Sequence, residues 1–576
     1  MEVIDDPEFS HRWNFPPSIT NDEILTEGNI DYAPAQFLNM TFGAGNLKHT
    51  HSSSDRREGK IQFAKETLPS FSYAIENVSR TTSPQNTVPS SSSVIRQQAN
   101  SEWRTENALP SFHFASETRK DFDASQPTLS KSSFRFNEYT SKLILPHVWM
   151  TQASAEVRIR KEDSIAASQF TNASGTLTQQ YELSLNEMQH FSSSLIVTVQ
   201  QKKYSAVFAS KGNKNNTTHL FRWLGRYAPL QDALQTDWGY EATTQRSAKA
   251  ERIFVKVPQG TGNYIYTGDR DSNGIRNDAD FQQTRFDGDY ILTMFPSEAL
   301  YPVIDLRTNL RVKIAYGALF EKALPVLEKI SSESYFRIEE KNTTPHTSDI
   351  YFLQLNKFLN DSTIAGSQLM THDVFLNEND EFFSLRMRFQ QRKSRTQFAL
   401  ATENSYTRER SLRLRMQLDK EINNQTEFIN TTNQLSATRA TNRVRNIRGN
   451  SLATDFSYRP QQQFEFGFTL ELAKNINQHT LIADMNTQTL RFTFSIEEKG
   501  QFRAELHREE VQFNTNIIDF PFELTNGRVP GKTFLVKVMW NYRIAEYLHY
   551  TISYDGRKEG TRETIHTVRA EMRATF

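Results

Sequence analysis

Residues 411–420 read SLRLRMQLDK, and this stretch decides the fold class. Every second residue is apolar and the others are charged or carry an amide: Leu412, Leu414, Met416 and Leu418 alternate with Arg413, Arg415, Gln417 and Asp419. Successive side chains of a β-strand point to opposite sides, so a period of two places these sets on opposite faces. The stretch therefore predicts a strand with one apolar face and one strongly polar face.

The same alternation recurs along the chain, in segments separated by turn residues. Examples are QFEFGFTLELAK (463–474), LRFTFSI (490–496), TNLRVKIAY (308–316) and LHYTISY (548–554). Counting such segments gives roughly 24 strands of about 9–14 residues, the length that crosses a bilayer at a tilt. Strands of soluble proteins are usually about five or six residues long, so the length favours membrane-spanning strands.

The polar faces of these segments are dense in Arg, Gln, Lys and Glu. A membrane-spanning sheet would line a wet interior with such a face and turn its apolar face to lipid. Closure into a barrel would also remove exposed strand edges. We therefore predict an all-β fold, a large antiparallel transmembrane β-barrel with long polar loops and at most short rim helices. A soluble β protein whose polar face meets water is the competing interpretation.

The composition excludes several classes of protein. The 67 basic and 67 acidic residues balance, so no net positive field favours nucleic acid as a partner. Cysteine is absent, which removes disulfides, thiolate zinc sites and cysteine nucleophiles. The mean hydropathy is −0.64 with 41 Phe and 20 Tyr, a combination that does not suit a disordered chain. No apolar run is long enough for a transmembrane helix.

The two ends of the chain bear on location. The last residues, HTVRAEMRATF (566–576), alternate and end on Phe576. They resemble the terminal strand of bacterial outer-membrane proteins, which the barrel-assembly machinery recognises by its final aromatic residue. The start, MEVIDDPEFSHRWNFPPS, has neither the basic nor the apolar region of a signal peptide. We expect a protein of the bacterial outer membrane, in contact with its lipid, and the given chain is then a fragment, a processed form or the product of a mis-started reading frame.

A loop at residues 268–281, GDRDSNGIRNDADF, has the ligand spacing of a calcium loop. Six positions match loop positions 1, 3, 5, 7, 9 and 12, and Gly274 matches the glycine of the sharp turn. The predicted ligands are Asp269, Asp271, Asn273, the carbonyl of Ile275, Asn277 and Asp280.

This loop departs from a calcium sensor in two respects. Its last ligand is Asp280 rather than a bidentate Glu, and no convincing helices flank it. A structural Ca²⁺ clip in an extracellular hairpin is our prediction, and a polar turn without metal is the alternative. A regulatory sensor is disfavoured because it needs a bistable helix pair.

The same region carries a family resemblance. GTGNYIYTGDRDSNGIRNDADF (260–281), GDYILTMFPS (288–297), LEKISSESYFRIEEKN (327–342) and DPEFSHRWNFP (6–16) are similar to segments of large uncharacterised outer-membrane β-barrel proteins of Bacteroidota and related bacteria. Those proteins are longer at the N-terminal end, so the resemblance implies the C-terminal, barrel-containing part. It implies a barrel in the outer membrane and no known reaction.

The predicted organisation has four parts. An N-terminal arm, or the end of a preceding region, covers 1–25, and barrel strands cover 26–260. A hairpin insertion resembling a calcium loop covers 261–287, and further barrel strands cover 288–576.

No enzyme is predicted. HExxH and GxSxG are absent, and GRVPGKT (527–533) is one residue short of a phosphate loop and leads into a strand. We predict transport, secretion or surface scaffolding with an unknown cargo, with periplasmic or surface proteins as further partners. The alternative is a soluble secreted multi-sheet adhesin or binding protein with a structural calcium loop.

Overall fold

The computed structural model describes most of the chain. It covers Trp13 and residues 23–574, apart from short gaps at 50–51, 67, 83–89, 123–127, 149, 189, 231–232, 271, 273, 275, 320–324, 345, 347, 349–353, 400, 439–442, 479, 497–498, 517–519, 546–547 and 561. The chain forms two compact units. Unit 1 comprises Met1–Gly225 and Glu241–Thr244, and unit 2 comprises Arg226–Tyr240 and Gln245–Phe576.

Unit 1 is built from long strands that follow one another along the chain. They are β1 (Glu23–Ala35), β2 (Leu38–His49), β3 (Ser52–Phe63), β4 (Ser70–Thr82), β5 (Ser90–Glu102), β6 (Leu109–Phe122), β7 (Phe134–Val148), β8 (Thr151–Ala166), β9 (Gln169–Met188), β10 (Phe191–Tyr204) and β11 (Asn216–Tyr227). One short helix, α1 (Ala206–Ala209), follows β10. From β1 to β10 each strand pairs antiparallel with the next.

Unit 2 continues the same pattern. Strand β12 (Leu234–Lys256) lends its residues 241–244 to unit 1 and the rest to unit 2. The other strands are β13 (Gly262–Tyr266), β14 (Phe281–Gly288), β15 (Tyr290–Ala315), β16 (Ile330–Asn342), β17 (Thr363–Leu376), β18 (Phe383–Gln397), β19 (Thr402–Asp419), β20 (Ile422–Ala437), β21 (Arg445–Gln461), β22 (Phe464–Asn477), β23 (Leu481–Ile496), β24 (Gly500–Phe513), β25 (Gly531–Ala545), β26 (Leu548–Glu559) and β27 (Ile565–Ala574). From β15 onward neighbours in sequence pair antiparallel.

In the residues that the structure describes, helices are few and short. Unit 2 has α2 (Tyr316–Leu319), α3 (Phe522–Thr525) and single 3₁₀ turns at Asp278–Asp280, Leu327–Lys329 and Leu355–Lys357. Within the described part of the chain, no helix has the length and apolar character of a membrane-spanning segment.

One departure from the simple meander occurs in unit 2. Strand β12 pairs directly with β15, and the short hairpin of β13 and β14 is inserted between them. The 27 strands exceed the roughly 24 expected from alternation, and this insertion contributes two of the additional strands.

Because consecutive strands run antiparallel, their connections fall alternately on two edges of unit 2. One edge carries four connections of two or three residues, 420–421, 462–463, 497–499 and 546–547, together with the longer connections 316–329 and 377–382, and we call it the short-turn edge. The opposite edge carries 257–289, 343–362 and 514–530, and we call it the long-loop edge. In outer-membrane barrels short turns lie on the periplasmic side and long loops outside the cell.

The two faces of the unit 2 sheet differ in composition. The inner face is the one that carries Arg413, Glu427 and Arg491, and the outer face carries Leu412, Phe466 and Leu490. Next to the short-turn edge, the outer face is apolar over residues 412–418 of β19, 452–458 of β21 apart from Thr454, 464–472 of β22, 490–496 of β23, 502–506 of β24 and 534–542 of β25. We call this stretch the lipid zone.

The lipid zone is exposed although it is apolar. Phe466 is 48% exposed, Leu490 54% and Leu412 41%. The nine residues 464–472 extend about 30 Å, or about 21 Å along the normal at a ~45° tilt, near the ~25 Å apolar band of barrels. Soluble proteins do not expose apolar surface of this extent, so the zone faces lipid.

An aromatic row runs across four strands near the short-turn edge. The register aligns Phe464, Phe494, Phe502 and Trp540 on neighbouring strands of the outer face. The ring centroids of Phe464 and Phe494 lie 4.8 Å apart. Aromatic rings in this position form the interfacial girdle of a membrane barrel.

Beyond the lipid zone, towards the long-loop edge, the composition of the two faces is reversed. On β23 the outward residues become Asp484 and Asn486, whereas the inward Leu481, Ala483 and Met485 are buried. The strand therefore leaves the membrane between Asn486 and Leu490, and its continuation packs apolar residues inward as a soluble sheet does.

The predicted fold class is confirmed. The described chain is all-β and antiparallel with only short helices, and its strands have the lipid-facing zone of a transmembrane β-barrel.

Candidate functional site

Two segments from the long-loop edge of unit 2 fold back onto its inner face. The first is the strap, residues 250–289, which contains the end of β12 and the β13–β14 hairpin. The second is the cap segment, residues 514–530, which contains α3. Together they cover the inner face where the strands have left the lipid zone.

Aromatic stacking gives the strap a packed core of its own. The rings of Phe254 and Phe281 stack at 3.8 Å between centroids with 7° between their planes. Tyr290 meets Phe281 edge-on at 5.0 Å, and Tyr264 meets Phe254 edge-on at 5.2 Å. These contacts pack the aromatic residues of the strap against one another and, through Tyr290, against the first residue of β15.

The base of the strap is joined to β18 and β19 by a cluster of charges. Both nitrogens at the end of Arg252 donate to the carboxylate of Glu403, at 2.8 and 2.6 Å, and one also donates to Asp278 at 2.6 Å. Arg443 donates to the same Glu403 at 2.8 Å. The Arg252 guanidinium stacks on Phe398 at 3.8 Å from the ring centroid. The side chains of Arg252 and Glu403 are each only 9% exposed, so this bidentate pair is shielded from water.

Two further ion pairs fasten the far end of the strap. Arg285 donates to the carboxylate of Glu509 on β24 at 3.0 Å. Asp287 accepts a hydrogen bond from Arg557 on β26. The strap is therefore attached at both ends by arginine–carboxylate pairs to residues distant in sequence.

The cap segment is attached by ion pairs and by apolar burial together. Arg528 donates to Glu471 of β22 at 2.7 Å, and Glu523 pairs with Arg445 of β21 at 3.0 Å. Leu524 is fully buried and packs with Ile447, Leu481 and Ala483 of the inner face. The side chain of Asn475 donates to the carbonyl of Leu524 at 2.7 Å. Apolar burial of this kind is not weakened by salt, unlike the pairs that hold the strap.

A cavity of about 440 Å³ lies between the strap and the cap segment. Its lining includes six arginines, Arg270, Arg285, Arg443, Arg445, Arg528 and Arg562, against four carboxylates, Asp278, Asp287, Glu523 and Glu559. Tyr264, Phe281 and Phe522 add aromatic surface. An excess of guanidinium groups in a recessed site favours a ligand that carries negative charge.

The predicted calcium ligands lie in the strap. Asp271, Asn273 and Ile275 fall outside the described residues. Asp280 is fully buried and accepts hydrogen bonds from the backbone N–H groups of Arg270 at 2.8 Å and Asn277 at 3.0 Å. Asp269 accepts from the N–H of Gly274 at 2.8 Å, and Asn277 caps the 3₁₀ turn through the N–H of Ala279.

These contacts close the loop on itself through its own backbone. Among the described residues no three His, Asp or Glu side chains converge as a metal site would require. Because half of the ligand set is not described, Ca²⁺ binding stays a prediction.

Other residues singled out from the sequence are placed as follows. Arg413 lies on the inner face and donates to Glu427 at 3.0 Å, and Arg415 donates to the carbonyl of Asp380 at 3.1 Å. Phe576, the terminal aromatic, lies outside the described residues. Gly527 belongs to the turn after α3 and Gly531 begins β25, so GRVPGKT is a loop-to-strand connection.

Sequence reasoning missed the reversal of the two faces and hence the cap contacts. A signal for it exists in LIADMNTQTLRFTFSI (481–496). Apart from Ile482, its apolar residues occupy odd positions 481, 483 and 485, then even positions 490, 492, 494 and 496. A change of phase within one unbroken strand marks the point at which the apolar face changes sides.

Unit 1 has a charged inner face of its own. Arg56 on β3 bonds Glu27 at 2.9 Å and Glu76 at 2.5 Å, and it also bonds Glu58. Glu76 in turn bonds Arg96 on β5 at 2.9 Å. Opposite charges thus alternate from strand to strand across the sheet, as in a barrel interior.

The fully buried Trp13 covers part of this row of ion pairs, next to Arg56. Its ring lies 6.0 Å from the Arg56 guanidinium, and Ser54 donates to its carbonyl at 3.0 Å. A Cβ at Gly45 would come within 2.7 Å of the Trp13 ring, so glycine is required there for the close approach.

Comparisons with known proteins give remote structural likenesses only. No protein-family model matches the chain, and no curated protein does. The siderophore receptor PirA from Pseudomonas aeruginosa aligns with 89% of this chain and 81% of its own, at 8% identity and a TM-score of 0.30. The outer membrane transporter YddB from Escherichia coli aligns with 90% of this chain and 74% of its own, at 7% identity and 0.29. The copper transporter OprC aligns with 96% and 79%, at 10% identity and 0.26.

At these scores and identities the likenesses carry no argument, and the conclusions rest on the chain's own residues. Long antiparallel strands, a lipid zone and a charged inner face occur together in β-barrels of outer membranes. The chain is a β-barrel protein of the outer membrane.

Proposed function

We propose that this protein is a gated transporter, in which the strap opens and closes the inner face of unit 2 to a small polar solute. The observation that carries the proposal is the contrast between the two covering segments. Arginine–carboxylate pairs hold both segments, but the cap segment also inserts fully buried Leu524 into an apolar cluster of the inner face. Ion pairs can be exchanged for contacts with water or with a charged solute, whereas the packing of Leu524 has no such replacement, so the strap is the moving part.

The charge of the cavity supports an anionic solute. Six arginines and four carboxylates line it, and several arginines are already paired within the lining. A solute with carboxylate or phosphate groups would compete for these guanidinium groups while its other parts meet the aromatic residues. Charged side chains on the rest of the inner face would then line its route.

The soluble adhesin is the weaker alternative. It would leave the lipid zone and its aromatic row facing water without a partner, and apolar patches of that extent are not stable on soluble monomers. Secretion and scaffolding remain outcomes of the experiment below, since a scaffold needs no opening of the strap.

Assembly in the membrane forms part of the proposal. The terminal strand would engage the barrel-assembly machinery through Phe576, and periplasmic or surface proteins would be further partners. Replacement Phe576→Ala should lower the amount of folded protein in the outer membrane. An unchanged amount would remove this residue from the account.

The gating experiment uses the absence of cysteine. Ala250 and Phe398 form a β-bridge between the strap and β18, within the usual reach of a disulfide. The double variant Ala250→Cys, Phe398→Cys in planar bilayers should conduct when reduced and close when oxidised. Each single variant should be insensitive to oxidant. Equal conductance in both redox states, with the disulfide confirmed by mass spectrometry, would contradict a moving strap.

A further inference from the structure

A band of positive charge runs across the outer face of unit 2 from β18 to β26, next to the lipid zone on the side of the long-loop edge. We call it the basic collar. Its members are the outward-facing residues Lys393, Arg408, Arg410, Arg448, Lys474, Arg508, Lys532 and Lys558.

The strand register places these residues on the outer face, near the end of the lipid zone on their strands. Arg410 follows Leu412 on β19, Lys474 follows Leu472 on β22, and Lys532 precedes Phe534 on β25. Each of these three is the first outward residue beyond the lipid zone of its strand. Cross-strand pairing joins Arg410 to Asn430, then Asn430 to Asn450, then Asn450 to Lys474. The collar thus lies where the strands leave the hydrocarbon core.

Most residues of the basic collar are exposed, and few carboxylates lie near them. Lys393, Arg410, Arg448, Lys474, Lys532 and Lys558 are exposed, and Arg408 and Arg508 are half-buried. On the same part of β19 to β26 the described outward carboxylates are Asp484, 3.6 Å from Lys474, and Glu510, 3.3 Å from Arg508. Eight cations against two anions leave a net positive band.

The opposite boundary of the lipid zone has no such band. There the apolar residues run to the turns themselves, with Phe464 next to 462–463 and Ile496 next to 497–499. Non-specific solubilising charge would be expected at both boundaries. The asymmetry therefore points to a difference between the two leaflets.

We propose that the basic collar binds the phosphate groups of a phosphorylated glycolipid in the leaflet next to the long-loop edge. Guanidinium and ammonium groups at headgroup depth pair with phosphates, while the apolar residues below them contact the acyl chains. The collar is outside the strap and the cavity, so this inference goes beyond the proposed transport function. It also fixes the long-loop edge at the phosphate-rich leaflet.

The experiment measures binding of the purified full chain to a bis-phosphorylated lipid A in neutral detergent, by native mass spectrometry. The collar variant replaces Arg410, Arg448, Lys474 and Lys532 by Gln. The control variant replaces four exposed bases of the inner face, Arg392, Arg415, Arg503 and Lys537, by Gln, with the same change in net charge. The collar variant should bind on the order of 100-fold more weakly, and the control within about threefold of wild type.

Two results would overturn the proposal. One is equal loss of binding in both variants, which would mean a general effect of net charge. The other is undiminished binding by the folded collar variant.

If the collar variant fails to fold, the proposal is tested on the wild-type chain by comparing its binding of two lipids. The wild-type chain should prefer bis-phosphorylated lipid A to its dephosphorylated form with the same acyl chains. The preference should shrink as salt rises, and millimolar inorganic phosphate should not replace the lipid. Equal binding of the two lipids would contradict the collar.

Discussion

Replacement of Glu403 by Gln tests how the strap is held. The carboxylate of Glu403 accepts two hydrogen bonds from Arg252 and one from Arg443, and its side chain is only 9% exposed. Glutamine is nearly the same size but carries no charge, so it leaves two guanidinium groups without their shared anion.

The expected magnitude follows from these contacts. Removal of one partner from a buried ion pair costs about 3–5 kcal/mol. Arg252 keeps Asp278 at 2.6 Å, and the amide oxygen of Gln still accepts a hydrogen bond, so about 2–4 kcal/mol is expected here. This free energy favours the detached strap, and at ~1.36 kcal/mol per tenfold it raises the open-to-closed ratio by about 30- to 900-fold.

The assay is single-channel recording of the purified variant in planar bilayers. Glu427→Gln is the matched control, because Glu427 lies on the same inner face and pairs with Arg413 of β19 and Arg386 of β18, which belong to the sheet and not to the strap. The control should keep the closed fraction of the wild type. A folded Glu403→Gln protein with an unchanged closed fraction would refute the ion-pair account of the strap.

Three further predictions concern stability. Leu524→Ala should lower the free energy of unfolding of unit 2 by about 2–5 kcal/mol, since Leu524 is fully buried; denaturant unfolding measures this, and a loss under 1 kcal/mol would place the cap segment elsewhere. Trp13→Ala should cost about 3–5 kcal/mol in unit 1, whereas a tryptophan emission spectrum typical of full exposure for Trp13 would contradict its burial. Removal of Ca²⁺ by a chelator should lower the melting temperature, and Asp269→Ala with Asp271→Ala should abolish that shift; no shift in either protein would leave the loop a metal-free turn.

The strand architecture could be predicted from the sequence because alternation is a local property. The side chains of Leu412 and Arg413 can be assigned to opposite faces from their own positions in the sequence, without the positions of neighbouring strands. The same reasoning extends to Phe464–Leu472 of β22, whose length alone separates a bilayer-spanning strand from a soluble one.

The charged cluster at the strap could not be predicted in this way. Arg252 and Glu403 are 151 residues apart in sequence, and Arg285 and Glu509 are 224 apart. Their contact depends on the register of many strands and on the direction in which a loop folds, neither of which local patterning encodes. The spacing of Asp and Asn residues in 268–281 singled out the strap as a calcium loop and not as a set of ion pairs. Binding of Ca²⁺ to that loop is still a prediction.

The reversal of the apolar and polar faces could be predicted from the sequence only in part. The phase change between Met485 and Leu490 is present in the sequence, yet it reads as irregular alternation until the cap segment is seen against Ala483. A scan for phase changes at similar depth on adjacent strands would find it in other barrels.

The most direct test of the membrane assignment uses the cysteine-free chain. Single cysteines are introduced along β23 at Asp484, Asn486, Thr489, Leu490, Arg491 and Phe492, labelled with a small fluorophore and reconstituted in vesicles with brominated lipid. Quenching should be strong at 490 and 492, weak at 489 and 491, and weak at 484 and 486. Equal quenching at odd and even positions, or strong quenching at 484 and 486, would contradict the lipid zone and its boundary.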